Sequence, residues 1–199
     1  QAYHDLIDPQ GGFRTGTQLL FLDGALQYRD SELKLEQLDL FTVNSYNPVN
    51  PFNTPLSWGF NLGWQQEALN AHGQFSEDEQ HGVASLKTQG GYSWANASRE
   101  HLCYAQMQTQ LQAGKALDQG WRVGAGPTVG CHNIWSDQIN SLVQVELPYW
   151  EDSHRWQLKL NIELQYAFNP QHALRLSWEY QQQQSKDWDQ WSLGLIRYF

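Results

Sequence analysis

With 199 residues the chain has the length of one medium domain, 1–199, and it is 40% apolar and 14% aromatic but only 17% charged, with a net charge of −9. That balance argues against nucleic acid as a partner, which would need clustered Lys and Arg, and it falls below the roughly one-quarter charged composition of soluble domains. Ten Trp and nine Tyr exceed the needs of a core this size; rings with an apolar body and a polar tip suit a membrane–water interface.

The chain opens at Gln1 with neither Met nor signal peptide and reads as a processed form or an excised piece. No apolar run reaches the ~18 residues of a transmembrane helix. Instead, period-2 alternation predicts strands almost throughout. In chain order they fall at about 1–8, 18–29 and 32–43, then at LSWGFNLGWQ (56–65). Further strands follow at 82–94, 101–113, 121–131 and 142–151. RWQLKLNIELQYAF (155–168), HALRLSWEYQ (172–181) and WDQWSLGLIRYF (188–199) complete the series. Turn signals separate them at DPQGG, RDSE, NSYNPVNPFNTP and FNPQH.

Sidedness is sharp. Leu56, Trp58, Phe60, Leu62 and Trp64 oppose Ser57, Gly59, Asn61, Gly63 and Gln65. Trp156, Leu158, Leu160, Ile162, Leu164, Tyr166 and Phe168 oppose Gln157, Lys159, Asn161, Glu163 and Gln165. In the last segment Trp191, Leu193, Leu195 and Phe199 share a face, interrupted by Arg197. A soluble barrel would turn the apolar face inward, a membrane barrel outward. The Gly, Ser, Asn and Gln of the polar face, and aromatics near strand ends, favour lipid. The expected fold is therefore all-β: a closed, antiparallel, up-and-down transmembrane β-barrel of 10–12 strands in the bacterial outer membrane, with lipid as its partner. The long acidic connection NAHGQFSEDEQHG is the only one of its kind, whereas such barrels usually carry several long outer loops.

AYHDLIDP, GTQLLFLD, LKLEQLDL and NPFNTPLSW follow in order over residues 2–58, with looser likeness beyond, in Gly-rich strands and CYA near residue 103. This series resembles the C-terminal region of bacterial proteins that carry the Lnb-type N-terminal periplasmic domain, a group mostly described as of unknown function. The resemblance implies a β-rich region in the outer membrane, preceded in the family by a periplasmic domain with Cys and His chemistry. The two cysteines here lie inside the strand region, so no catalytic cysteine carries over.

Cys103 and Cys131 are equidistant from Leu117 and flank the turn at GKALDQG. A hairpin folded there brings them opposite one another, within reach of a disulfide, as envelope proteins commonly form; buried free thiols are the alternative. Lys159, Glu163, Arg175 and Glu179 lie on the polar faces of two neighbouring strands, and a turn at NPQH brings Glu163 towards Arg175 and Lys159 towards Glu179. They form either a salt-bridged lumen plug or a selectivity lining.

His4, Asp5 and Asp8, with Asp23 and Asp39, make a second cluster, since a turn at RDSE places Asp23 near Asp39. Facing carboxylates with a histidine in reach suit acid–base work or a hydrogen-bonded polar core at the barrel base. His132, Ser136 and Asn140 carry the residue types of a barrel-wall esterase, but at a spacing that does not match. No GxSxG, HExxH, Walker or Rossmann pattern occurs, and no metal-ligand spacing, so no catalytic residue, metal or cofactor is assigned. The reading is a membrane anchor or scaffold, not an enzyme by itself, for a periplasmic domain or partner. Its alternatives are a barrel-type lipid esterase and a soluble β-barrel binding an apolar ligand.

Overall fold

The computed structural model describes residues 2–4, 16–29, 32–70, 72, 74–76, 79–169 and 171–197. The alternating segments form β1 (Ala2–His4), β2 (Thr17–Arg29), β3 (Glu32–Ser45) and β4 (Ser57–Glu67). β5 (His81–Ala95), β6 (His101–Ala113), β7 (Trp121–Ile134) and β8 (Ile139–Glu146) follow. The short β9 (Tyr149–Trp150) and β10 (Arg155–Trp156) precede β11 (Leu158–Asn169), β12 (His172–Gln183) and β13 (Lys186–Arg197).

All belong to one antiparallel sheet in which β1 to β8, β11, β12 and β13 are successive neighbours. β9 and β10 pair with each other, and β9 also continues along β7. The interruption between β8 and β9 sits at Leu147–Pro148, where Leu147 N–H donates to the Pro127 carbonyl at 2.9 Å. Proline has no N–H for the ladder, so regular pairing stops there and resumes at Tyr149.

The sheet is a half-barrel rather than the closed barrel expected. Among the described residues, β13 pairs only with β12, and β1 only with β2, at Leu19 and Leu20. The described strands therefore leave the wall open between β13 and β1–β2.

Curling places one face inside. Along β6, Leu102, Tyr104, Gln106, Gln108, Gln110 and Gln112 are buried, while the residues between them face out. β7 buries Arg122, Gly124, Gly126, Thr128, Gly130 and His132. On β4 the polar row Ser57, Gly59 and Gly63 is buried, and Trp58 and Leu62 are exposed. Trp191, Leu193 and Leu195 of β13 are 64–73% exposed. Apolar surface thus faces out, and amides and charges face in.

Two small apolar clusters lie at the ends of this interior. Tyr46, Leu102 and Tyr104 form the one nearer the start of β2 and the end of β13. Leu69, Val83 and Leu117 form the other, beneath the β4–β5 and β6–β7 connections.

Cys103 and Cys131 face each other directly in the β6–β7 register, with Cα atoms 4.0 Å apart, and are joined by a disulfide. The bond lies at the opposite end of the hairpin from its own turn, 28 residues apart in sequence. Replacing both cysteines with Ser should cost about 3–4 kcal/mol by the chain-entropy account of a loop this long. The loss should show as a lower denaturant midpoint with unchanged β-sheet circular dichroism; an unaltered midpoint would mean that the bond adds nothing to the strand pairing.

Candidate functional site

The polar interior is built by parity. A strand that turns its apolar residues outward turns every intervening residue inward, and several of those residues are ionisable. Burying them is costly unless they are paired and hydrogen-bonded, and the interior meets that demand through contacts between strands distant in sequence.

Glu67, at the end of β4 and 1% exposed, is the first node. It accepts from Lys159 Nζ of β11 at 2.9 and 3.2 Å and from Gln112 Nε2 of β6 at 2.8 Å, and Gln65 donates to it as well. Arg122 of β7 lies 3.8 Å away and donates from Nε to Gln112 Oε1 at 2.7 Å. Its guanidinium also stacks 3.9 Å from the ring centre of buried Trp150. A Cβ on Gly124 would lie 2.7 Å from that indole, so glycine is what lets the ring lie against β7. The chain of contacts runs on from Trp150 Nε1 to Gln157 (2.6 Å), from Gln157 to Gln181 (2.8 Å) and from Gln181 to Glu179 (2.6 Å).

Glu146, at the end of β8, is the second node. Lys87 of β5 pairs with it, Gln144 donates to it, and Gln108 and Gln110 Nε2 reach its other oxygen at 3.1 and 3.2 Å. Tyr104 Oη donates to Gln144 at 2.9 Å, and the rings of Tyr46 and His132 pack against Tyr104 at 4.9 and 6.0 Å.

Of the residues singled out in sequence, Glu163 and Arg175 form an ion pair at 3.6 Å, and Arg175 also donates to Gln165 at 2.9 Å. The pairing is diagonal, since Glu163 faces Ser177 and Gln165 faces Arg175 in the register. Lys159 is drawn to Glu67, while Glu179 lies within its field. Asp23 and Asp39 are register partners on β2 and β3. Gln37 Nε2 donates to the Asp39 carboxylate at 2.8 Å; the side chain of Asp23 lies outside the described residues. So do Asp5, Asp8 and the side chain of His4, whose backbone pairs with Leu19.

His132 is buried among the tyrosines. Ser136 lies in the exposed β7–β8 turn, where its hydroxyl accepts the N–H groups of Gln138 (3.3 Å) and Ile139 (3.1 Å). Asn140 is buried at the start of β8. Among the described residues no group of three or more His, Cys, Asp or Glu could hold a metal ion.

Sequence reasoning missed Glu67, Lys87, Arg122 and Glu146, the residues on which the interior turns. Their signal was present: each occupies the inward position of its strand's alternation, as Glu67 does after Ser57, Gly59, Asn61, Gly63 and Gln65. Chemically the site is a closed set of charge-assisted bonds that fixes side chains across the curl of the sheet. Glu67→Ala should cost about 3–5 kcal/mol, because Lys159 and Arg122 lose their counter-charge in the interior. Lys159→Ala should also destabilise. The double variant should lose less than the sum by about 1 kcal/mol or more in equilibrium unfolding; strictly additive losses would show the pair to be uncoupled.

Neither a curated protein nor a solved structure matches the chain. A family model described as a domain of unknown function, DUF7840, matches residues 1–198, and the chain belongs to that family.

Proposed function

We propose that this chain is the wall of an outer-membrane β-barrel that acts as an anchor or scaffold, without enzymatic activity of its own. The observation that carries this reading is inverted sidedness: Met107, Val129, Leu164, Leu193 and Leu195 are exposed outside, while Glu67, Glu146, Arg122 and four glutamines of β6 are buried inside. A soluble barrel binding an apolar ligand needs the reverse. Exposed aromatics also gather at two levels, with Trp58, Trp94, Trp135 and Phe168 towards one end and Trp121, Tyr149 and Trp156 towards the other. From Trp156 to Phe168 the chain covers about 40 Å at roughly 3.3 Å per residue. At the ~40° tilt of such walls this is about 30 Å along the axis, close to the height of a membrane's apolar layer.

Under this reading the free edges of β13 and of β1–β2 join in the bilayer, because each unpaired backbone group in hydrocarbon costs several kcal/mol. Gln190 of β13 already donates to Glu36 of β3 across the gap. The filled interior fits a support better than a pore. Its partner would be a periplasmic domain or protein, in keeping with the resemblance to the C-terminal region of Lnb-type proteins.

Gel mobility of envelope-extracted protein in mild detergent, with and without boiling, tests the reading. A compact fast form that boiling converts to full apparent mass is the expected result. Recovery in the aqueous fraction with no such shift would overturn it. Within the same assay, Leu193→Lys should disfavour the inserted form by about 2–4 kcal/mol if the residue faces the bilayer midplane, whereas the inward Ser192→Ala should be tolerated.

A further inference from the structure

The interior contains a group of side-chain polar atoms to which the two carboxylate nodes supply no partner. Gln106 is 4% exposed, and Gln108 and Thr128 are 1% exposed. Among the described residues, neither the Nε2 nor the Oε1 of Gln106 has a hydrogen-bond partner, and the same holds for Gln108 Oε1 and Thr128 Oγ1. These atoms are neighbours. Gln106 faces Thr128 directly across the β6–β7 register, and Gln108 is the next inward residue of β6. Gly91 is the β5 partner of Gln106, Gln89 the β5 partner of Gln108, and Gly126 the β7 partner of Gln108.

On one side of this group stand the rings of Tyr46, Tyr104 and His132, and on the other the Lys87–Glu146 pair, with Glu146 facing Thr128 in the register. Each orphaned buried polar group costs about 1–3 kcal/mol, and such groups in native interiors are usually met by an ordered guest.

We propose that Gln106, Gln108 and Thr128 form a binding site for a small, neutral, hydroxyl-bearing guest, either water or a polyol of glycerol size. The amide N–H groups of Gln106 donate to it, the two amide oxygens accept from it, and the Thr128 hydroxyl does either. Aromatic faces beside an amide rim suit C–H and O–H groups together. Charge is excluded, because Lys87 and Glu146 already satisfy each other next to the site. The inference does not depend on whether the strands cross a bilayer, since the interior is the same in both cases.

The test uses Thr128→Cys and Gln106→Cys in the full chain with its disulfide intact, probed with methyl methanethiosulfonate, a small neutral thiol reagent. Val83→Cys is the control, as Val83 is fully buried in the Leu69–Leu117 cluster. Retained near-ultraviolet circular dichroism establishes folding. The site cysteines should react about tenfold faster or more than the control, since reactivity follows access. Slowing by added glycerol identifies a polyol site, and no slowing identifies water; both support the proposal. Reaction at the control rate, until the protein is denatured, would overturn it. Should neither variant fold, hydroxyl-radical footprinting of the unaltered protein decides. Oxidation of Tyr104, beside the site, with Trp150 protected supports the proposal; protection of both rings overturns it. Membrane insertion is read separately by the boiling-dependent gel shift, so the two readings fail independently.

Discussion

Glu67 is the point on which the curl of the sheet depends. Its carboxylate belongs to β4, yet its partners come from β6, β7 and β11, so that one buried anion draws together strands that the ladder keeps far apart. A buried ion pair adds little net stability over an apolar replacement, but removing one partner is expensive. The network is therefore better understood as fixing which curvature the sheet adopts than as a store of stability. Lys159, reaching from β11, forms the span, and Arg122 is held between Gln112 and the Trp150 ring.

The abundance of glutamine follows from the same constraint. An interior that cannot use apolar side chains, because those have been turned outward, must fill its volume with groups that hydrogen-bond to one another without adding charge. Glutamine has the length, a donor and an acceptor. Gln112, Gln157 and Gln181 each link two parts of the network in this way, and Gln108 and Gln110 each donate to Glu146. Among the described residues, the network's cations Lys87, Arg122, Lys159 and Arg175 each lie against a carboxylate. Aromatic and aliphatic clusters then finish the two ends, where the connections cross.

The strands were legible in the sequence because a period of two is a local property. Gly59 and Gln65 announce the inward face of β4 with no knowledge of what it meets. The disulfide was legible for the same reason: a hairpin centred on Leu117 is a matter of counting. The direction of Lys159 was not. Its cross-strand neighbourhood on β12 pointed to Glu179, but the curl of the sheet brought Glu67 within reach, 92 residues away in the chain. Curvature is a collective property of all the strands, and it decides both which inward charges meet and whether the edges do. The closed wall was expected because an open edge in hydrocarbon leaves backbone groups unpaired, whereas the described sheet is open, with β13 paired only to β12.

The inward row of β6 repeats the same residue at 106, 108, 110 and 112, and β7 sets Gly126 and Gly124 against Gln108 and Gln110. A slip of two residues between these strands would keep every side chain on its proper face and exchange one glutamine for another. Hydrophobic patterning, which normally guards alignment, is nearly blind to such an error. The Cys103–Cys131 bond is not, because only one alignment sets the two sulfurs face to face. In this hairpin the covalent link acts as a proofreading mark: its formation selects the one alignment in which Gln108 and Gln110 meet Glu146 and Gln112 meets Glu67.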